Sequence, residues 1–205
     1  MAFTISLPAI KRMEKMLAKY GRKIIGWDEI LEGGLSPEAT VMSWRGTSGG
    51  ISAALQKHDV IMTPGSGGLY LDHYQGDYKI EPVTIPSAPA YLSRTYNYEP
   101  VPDTIKSLGL EKHILGVQCN NWSEYMYTNA KMEYQMYPRS LALAEIAWSP
   151  AKKKNFTDFA RRVDANSVRL DERHVRYHIP LPEQPYGSCD KVVITKDTVV
   201  TFQIG

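Results

Sequence analysis

The sequence predicts an α/β fold of about four parallel strands with intervening helices, and three features of its 205 residues predict it. Short apolar runs recur at Lys23-Ile24-Ile25-Gly26, Thr40-Val41-Met42-Ser43, Asp59-Val60-Ile61-Met62 and His113-Ile114-Leu115-Gly116-Val117. Segments with apolar residues at helical spacing lie among them, which implies βαβ units with right-handed crossovers. Glycine and proline punctuate the joins. Four such strands followed by two closing helices fit half of an eight-stranded barrel, or a small doubly wound sheet.

The first element is a helix. Ser6 precedes Leu7-Pro8, and Ile10, Met13, Leu17 and Tyr20 follow at helical spacing until Gly21 ends the run. The first two strands come next, at 23–26 and 40–43, with a Gly/Pro-containing stretch between them. A helix is predicted over 48–57, and the third strand stops at Pro64-Gly65. Residues 64–112 form a long connection rich in Gly, Pro and Tyr, with one short helix near 102–108. Connections of that length usually carry function. After the fourth strand, helical periodicity covers 130–148 through Met132, Met136, Leu141, Ala144 and Ile146. It resumes over 153–176 through Phe156, Phe159, Ala160 and Val163. At His178-Ile179-Pro180-Leu181-Pro182-Glu183-Gln184-Pro185 the character changes to an extended proline-rich linker. Residues 191–195 and 198–202 read as two hairpin strands, too little for a stable domain, so 186–205 are expected to open a β-rich domain. The division is therefore 1–178 for the α/β unit and 179–205 for the linker and first β-strands.

Composition narrows the function classes. The 43% hydrophobic and 22% charged residues are those of a globular chain, and no apolar run reaches the roughly 18 residues of a membrane span. A net charge of +2, from 24 basic and 22 acidic residues spread along the chain, builds no one-sided positive field for nucleic acid. Lys152, Lys153 and Lys154, the one basic run, read as a solvated helix end. Cys119 and Cys189 stand far apart with no CxxC motif, so neither zinc nor a disulfide scaffold is expected, and no cofactor is implied. The opening MAFTISLPAIKRMEK has no charged segment followed by a long apolar one, so no secretory signal is read and the compartment stays open.

Chemistry gathers at the strand ends. Trp27 follows the first strand, Trp44 the second, and Trp122 with Glu124 comes shortly after the fourth. In parallel α/β architecture those ends face one side, where active sites are built. Core packing is the plain reading of a lone tryptophan, but the same strand-then-Trp pattern three times points to one mouth. Aromatic faces suit the axial C–H groups of a pyranose, and carboxylates suit its hydroxyls. Tyr70-Leu71-Asp72, if extended, projects a phenol and a carboxylate to one side, although a rim aromatic and a turn residue explain them equally. Trp122-Ser123-Glu124 repeats that spacing, with a surface carboxylate as the alternative for Glu124. Asp28-Glu29 precedes Ile30-Leu31-Glu32 and is expected to cap a helix rather than act as a catalytic pair. His58 and His73 lack ligand-spaced partners, and Arg45 is expected to anchor a loop by bidentate bonds.

Taken together, Gly26-Trp27-Asp28-Glu29, Met42-Ser43-Trp44-Arg45-Gly46, Tyr70-Leu71-Asp72 and Gly116-Val117-Gln118-Cys119-Asn120-Asn121-Trp122-Ser123-Glu124-Tyr125 resemble family 20 glycoside hydrolases in order and spacing. The resemblance covers about residues 10–178 and implies the C-terminal half of a TIM (β/α)8 barrel, strands five to eight, leading into a β-sandwich found in some bacterial members. It implies hydrolysis of terminal β-linked N-acetylglucosamine or N-acetylgalactosamine, with the substrate's acetamido oxygen as nucleophile and retention of configuration. By the same resemblance Trp27, Trp44 and Trp122 would box the acetamido group, Tyr70 would align it, and Asp72 and Glu124 would accept bonds from ring hydroxyls. Family members are often exported. The family's Asp-Glu pair at the end of strand four has no counterpart in this sequence. Because general acid catalysis is worth ~10²–10⁴-fold, the polypeptide alone is expected to be nearly inactive. Glycans carrying these sugars are the implied partners, with either self-association or the N-terminal half of a barrel to cover exposed edges. The alternatives are a non-catalytic binder of N-acetylhexosamines and a structural half-barrel that dimerises.

Overall fold

The computed structural model describes residues 7–179. Helix α1 (Leu7–Ala18) leads to β1 (Ile25–Trp27), β2 (Thr40–Ser43), α2 (Ser48–Leu55) and β3 (Val60–Met62). Helices α3 (Leu92–Asn97) and α4 (Asp103–Ser107) follow, then β4 (Ile114–Val117), α5 (Asn129–Met136), α6 (Arg139–Trp148) and α7 (Phe156–Glu172). The four strands form one sheet in the order β1-β2-β3-β4, and every pairing is parallel. Sequence order is thus preserved across the sheet, as in a barrel wall, where a doubly wound sheet would reverse it.

Register sets the site. Trp27 pairs with Met42, Ser43 with Met62, and Met62 with Val117, so the carboxyl ends of all four strands lie along one edge. Between Val60 and Ile61 the β3–β4 register shifts by one residue and Leu115 is left over, a bulge that re-aims the chain entering the site.

The core forms because β-strand period and helical spacing bury one face each. Val41, Val60 and Met62 from the strands pack with Ala53 and Ala54 of α2, Ile10 of α1, Ile30 and Ile105. Gly50 lets α2 lie this close, since a Cβ there would come within 2.6 Å of Met62 Sδ and 3.1 Å of Val60 Cγ1. A second cluster joins Leu92 and Tyr96 of α3 to Ala142 of α6 and to Phe159 and Val163 of α7. Tyr96 stacks on Phe159 at 4.5 Å between centroids, and its hydroxyl accepts the Asn155 N–H at 2.7 Å.

Several expectations need correction. The periodic stretch 130–148 is two helices, because Pro138 holds Tyr137 in an extended conformation (φ −101°, ψ 140°) and no helix runs through it. The segment expected as a helix over 153–176 begins only at Phe156, where the Asn155 side chain accepts the Asp158 N–H, and it stops at Glu172, just before His174 takes a positive φ. Within the 64–112 connection a second helix, α3, was not anticipated; six residues are too few to show a period. The first strand lies one residue or two later than its apolar run, at Ile25–Trp27. The proposed linker beyond Ile179, the hairpin strands and Cys189 lie outside the described residues.

Candidate active site

Two adjacent acids at the end of β1 organise the first wall. The chain leaves Trp27 straight into a 3-10 turn, Asp28–Leu31, so consecutive side chains diverge. Asp28 turns inward and is buried; its carboxylate accepts the backbone N–H groups of Trp44 (3.1 Å) and Arg45 (3.2 Å) and Arg45 Nε (2.6 Å). Arg45 also reaches Glu32 at 2.6 Å, so it anchors the loop after β2 as an ion-paired fork. Glu29 turns the other way and accepts Trp44 Nε1–H on both oxygens, at 3.1 and 3.0 Å. The expectation that this pair caps a helix is therefore wrong: the cap position is Trp27, which makes no side-chain cap bond, and both carboxylates are committed to Trp44 and Arg45.

Opposite, the chain after β3 and the chain after β4 meet. Tyr70 forms a parallel bridge with Asn120, through Leu71 N–H to Asn120 O (2.7 Å) and Asn120 N–H to Leu69 O (2.8 Å). Asn120 Nδ2 donates to Thr63 Oγ1 and its Oδ1 accepts from Gln118 Nε2, each at 2.9 Å, so the amide is held from both sides. This bridge fixes Tyr70 next to the segment carrying Trp122. His73 sits edge-on to Tyr70 at 5.5 Å. Burial pushes the Tyr70 phenol above its usual range, with bonding toward Asn120 and Trp122 acting the other way, so it stays protonated and available as a donor.

The result is a cavity of about 350 Å³ lined by Trp27, Glu29, Trp44, Tyr70, Trp122 and Glu124. Trp44 and Tyr70 are nearly parallel, 15° apart with centroids 6.4 Å apart, and Trp27 meets Trp122 at 48° and 5.7 Å. Five of the six residues singled out in the sequence come together here. Asp72, the sixth, does not line the cavity. It is 1% exposed, and both carboxylate oxygens lack a hydrogen-bond partner among the described residues. Burial, with repulsion from Glu124, pushes it up to about 6 against the opposing pull of Arg139.

Three groups were missed in the sequence. Glu29 was set aside with Asp28, although its place just after a strand-ending Trp is the signal that would have found it. Asn120 falls between the two quoted features of its own motif. Arg139 is fully buried and donates to the carbonyls of Leu71, His73 (3.2 Å), Ala90 (3.1 Å) and Gln135 (2.7 Å), tying the Tyr70–Asp72 segment to α5 and α6. A larger groove, about 600 Å³, runs between α6 and α7 past Trp148 and Phe159. It lies away from the strand ends, and its acid, Glu145, is already paired with Arg162 at 2.6 Å.

Fold and site together define a parallel α/β protein whose aromatic, acid-bearing cavity stands at the carboxyl edge of the sheet, where such proteins do chemistry. A family model, glycosyl hydrolase family 20, catalytic domain, matches residues 4–151, and the chain belongs to that family. It is 58% identical over 195 residues to a beta-hexosaminidase of Porphyromonas gingivalis, covering 94% of this chain and 25% of that protein. A beta-hexosaminidase of Vibrio furnissii is 35% identical over 136 residues, covering 66% of this chain and 22% of the relative. The chain thus spans about a quarter of the length of these curated relatives. Among solved structures, a family 20 exo-beta-N-acetylglucosaminidase from Vibrio harveyi in complex with N-acetylglucosamine matches with a TM-score of 0.77 and 29% identity, over 82% of this chain and 26% of that one. The fold is that of family 20 TIM-barrel enzymes, with four of the parallel strands among the described residues.

Proposed function

We propose that this chain supplies the sugar-holding wall for hydrolysis of terminal β-linked N-acetylhexosamine, with the substrate's acetamido oxygen as the nucleophile. The observation that carries this is the gathering of Trp27, Trp44, Tyr70 and Trp122 with Glu124 on one cavity of about 350 Å³. That volume is at the small end of ligand sites and suits one monosaccharide unit. In this reading the three indoles close around the acetamido group and press its oxygen toward the anomeric carbon. Tyr70, a protonated phenol, donates to that oxygen and sets its direction. Glu124, on the cavity, accepts from ring hydroxyls, chiefly at the 4- and 6-positions; Asp72, buried behind that wall, joins it once the Tyr70–Asp72 segment shifts outward on binding, where a sugar hydroxyl would satisfy an otherwise orphaned buried acceptor.

The general acid is not among this chain's residues in the reading, because no Gly-rich motif ending in Asp-Glu occurs in the sequence. Exposed Ile25 on β1 and Leu115 on β4, at the two outer strands, favour a covering partner: the N-terminal half of a barrel, or a second copy. A polypeptide that binds without turning over is the outcome expected of the chain by itself. Calorimetry with N-acetylglucosamine should give saturable heat that Trp44→Ala weakens by roughly 10-fold or more, as truncation of a buried aromatic anchor does. A chromogenic N-acetylglucosaminide should show no turnover by the pure chain. Turnover by the pure chain, or affinity unchanged in Trp44→Ala, would overturn the proposal.

A further inference from the structure

We infer that Glu29 is the positioning residue that sets the plane of the Trp44 indole, and through it the preference of the cavity for an amide-bearing sugar. The second half of that statement rests on the proposed function; the first half stands on geometry alone.

Trp44 belongs to the short loop after β2, and a side chain on a loop needs other groups to hold its rotamer. Its backbone is fixed by Asp28 through the Trp44 and Arg45 N–H groups, which leaves the indole free to turn about its two side-chain torsions. The indole has one polar atom, a donor, and Glu29 receives that single proton on both oxygens at nearly equal distances, 3.1 and 3.0 Å. A carboxylate that straddles one N–H restrains the ring's rotation as well as its position. The Glu29 side chain has no other hydrogen bond among the described residues, while neighbouring Arg45 is spent on Asp28 and Glu32. The held plane lies 15° from the Tyr70 ring, which faces it across the cavity that Glu29 and both rings line. Turning the indole by a rotamer would swing it off Tyr70 and open the slot between them. Adjacent acids thus divide the work: Asp28 holds the backbone of one tryptophan, and Glu29 holds its ring.

The test uses the full chain and reads the bond directly. In a 1H–15N spectrum the indole N–H signals of the tryptophans are resolved, and Trp44→Phe assigns the one of interest. For wild type, the Trp44 N–H is expected downfield and slow to exchange with water, as befits a charge-assisted bond. Glu29→Ala should move that signal upfield and speed its exchange by roughly 10-fold or more, leaving the Trp27 and Trp148 signals in place, and Glu29→Gln, which keeps one acceptor, should recover part of both effects. Melting of each variant is recorded in parallel, so that general loosening, which would shift all the indoles together, is told apart. A Trp44 signal unchanged in Glu29→Ala overturns the positioning claim, as does a shift of all indole signals together. Calorimetry with N-acetylglucosamine and with glucose supplies the second arm: Glu29→Ala should lose most of the wild-type preference for N-acetylglucosamine. If wild type itself shows no such preference while the Trp44 signal responds as described, the sugar reading fails and the positioning claim survives. If the preference exists and Glu29→Ala keeps it, the link between the two is refuted.

Discussion

Arg139→Met removes a fully buried guanidinium while keeping the bulk of the stem. Its partners are carbonyls and one amide oxygen, with no carboxylate in contact among the described residues. The carbonyls of Leu71, His73 and Ala90 belong to the connection between β3 and α3 and lean on this side chain. Orphaning two buried acceptors and one half-buried one, the His73 carbonyl, at roughly 1 kcal/mol each, the low end for an unmet carbonyl because water can enter the space, costs about 3 kcal/mol. Burial has already pushed Arg139 down to about 10, so part of the loss is returned as relief of its desolvation. The expected net effect is a loss of about 2–3 kcal/mol in a urea titration followed by circular dichroism, with the midpoint lowered and the slope unchanged. Because the same carbonyls flank Tyr70 and Asp72, N-acetylglucosamine affinity should fall too, even under conditions where the variant is fully folded. Arg139→Lys should recover little, since one ammonium cannot span four carbonyls on different segments. A loss below about 0.5 kcal/mol would refute the view that this residue carries the Tyr70 segment.

Asp72 should make sugar affinity pH-dependent. Its carboxyl is raised to about 6, so affinity should rise as pH passes upward through 6 and the acceptor ionises, and Asp72→Asn should flatten that profile in calorimetry. The sign for stability is opposite: the folded state holds this proton more tightly than the unfolded chain, so its contribution is fully present below 3.8 and is lost as pH rises to about 6. His73 and His178 are both lowered to about 4 by burial, so the unfolded chain takes up protons first and stability should drop as pH falls from 6.5 to 4. His178→Gln should reduce that acid sensitivity in urea midpoints measured across the window. Trp148→Ser, which alters an indole 88% exposed on the far groove, should leave sugar affinity within about twofold of wild type in the same calorimetry.

How far the sequence carries depends on whether a feature is local. The second strand was legible to the residue because Thr40-Val41-Met42-Ser43 opens on two β-branched residues and lies between Pro37 and Gly46, and its carboxyl end placed Trp44 where the structure has it. The gathering of Trp27, Trp44 and Trp122 was legible for the same reason: a parallel sheet turns three sequence positions into one edge. Glu29 was not read correctly: adjacent carboxylates before an apolar run are expected to diverge and also look like a capped helix, and only the structure shows Glu29 turned to the Trp44 indole. Arg139 was invisible because its partners Leu71 and His73 stand 68 and 66 residues away, and nothing in a helical repeat distinguishes a buried arginine from a surface one. Asp72 was expected in the cavity beside Tyr70; instead, its segment carries it beneath the surface, a turn set by the Thr84 hydroxyl on its carbonyl and by Arg139 on either side.

The central claim concerns where an amide-bearing sugar sits, and a crystal structure of the chain soaked with N-acetylglucosamine addresses it directly. The account predicts the acetamido methyl packed among Trp27, Trp44 and Trp122, with the Tyr70 hydroxyl within hydrogen-bonding distance of the acetamido oxygen. A sugar seated in the groove between α6 and α7, or in the cavity with its acetamido group turned out to solvent, would contradict it.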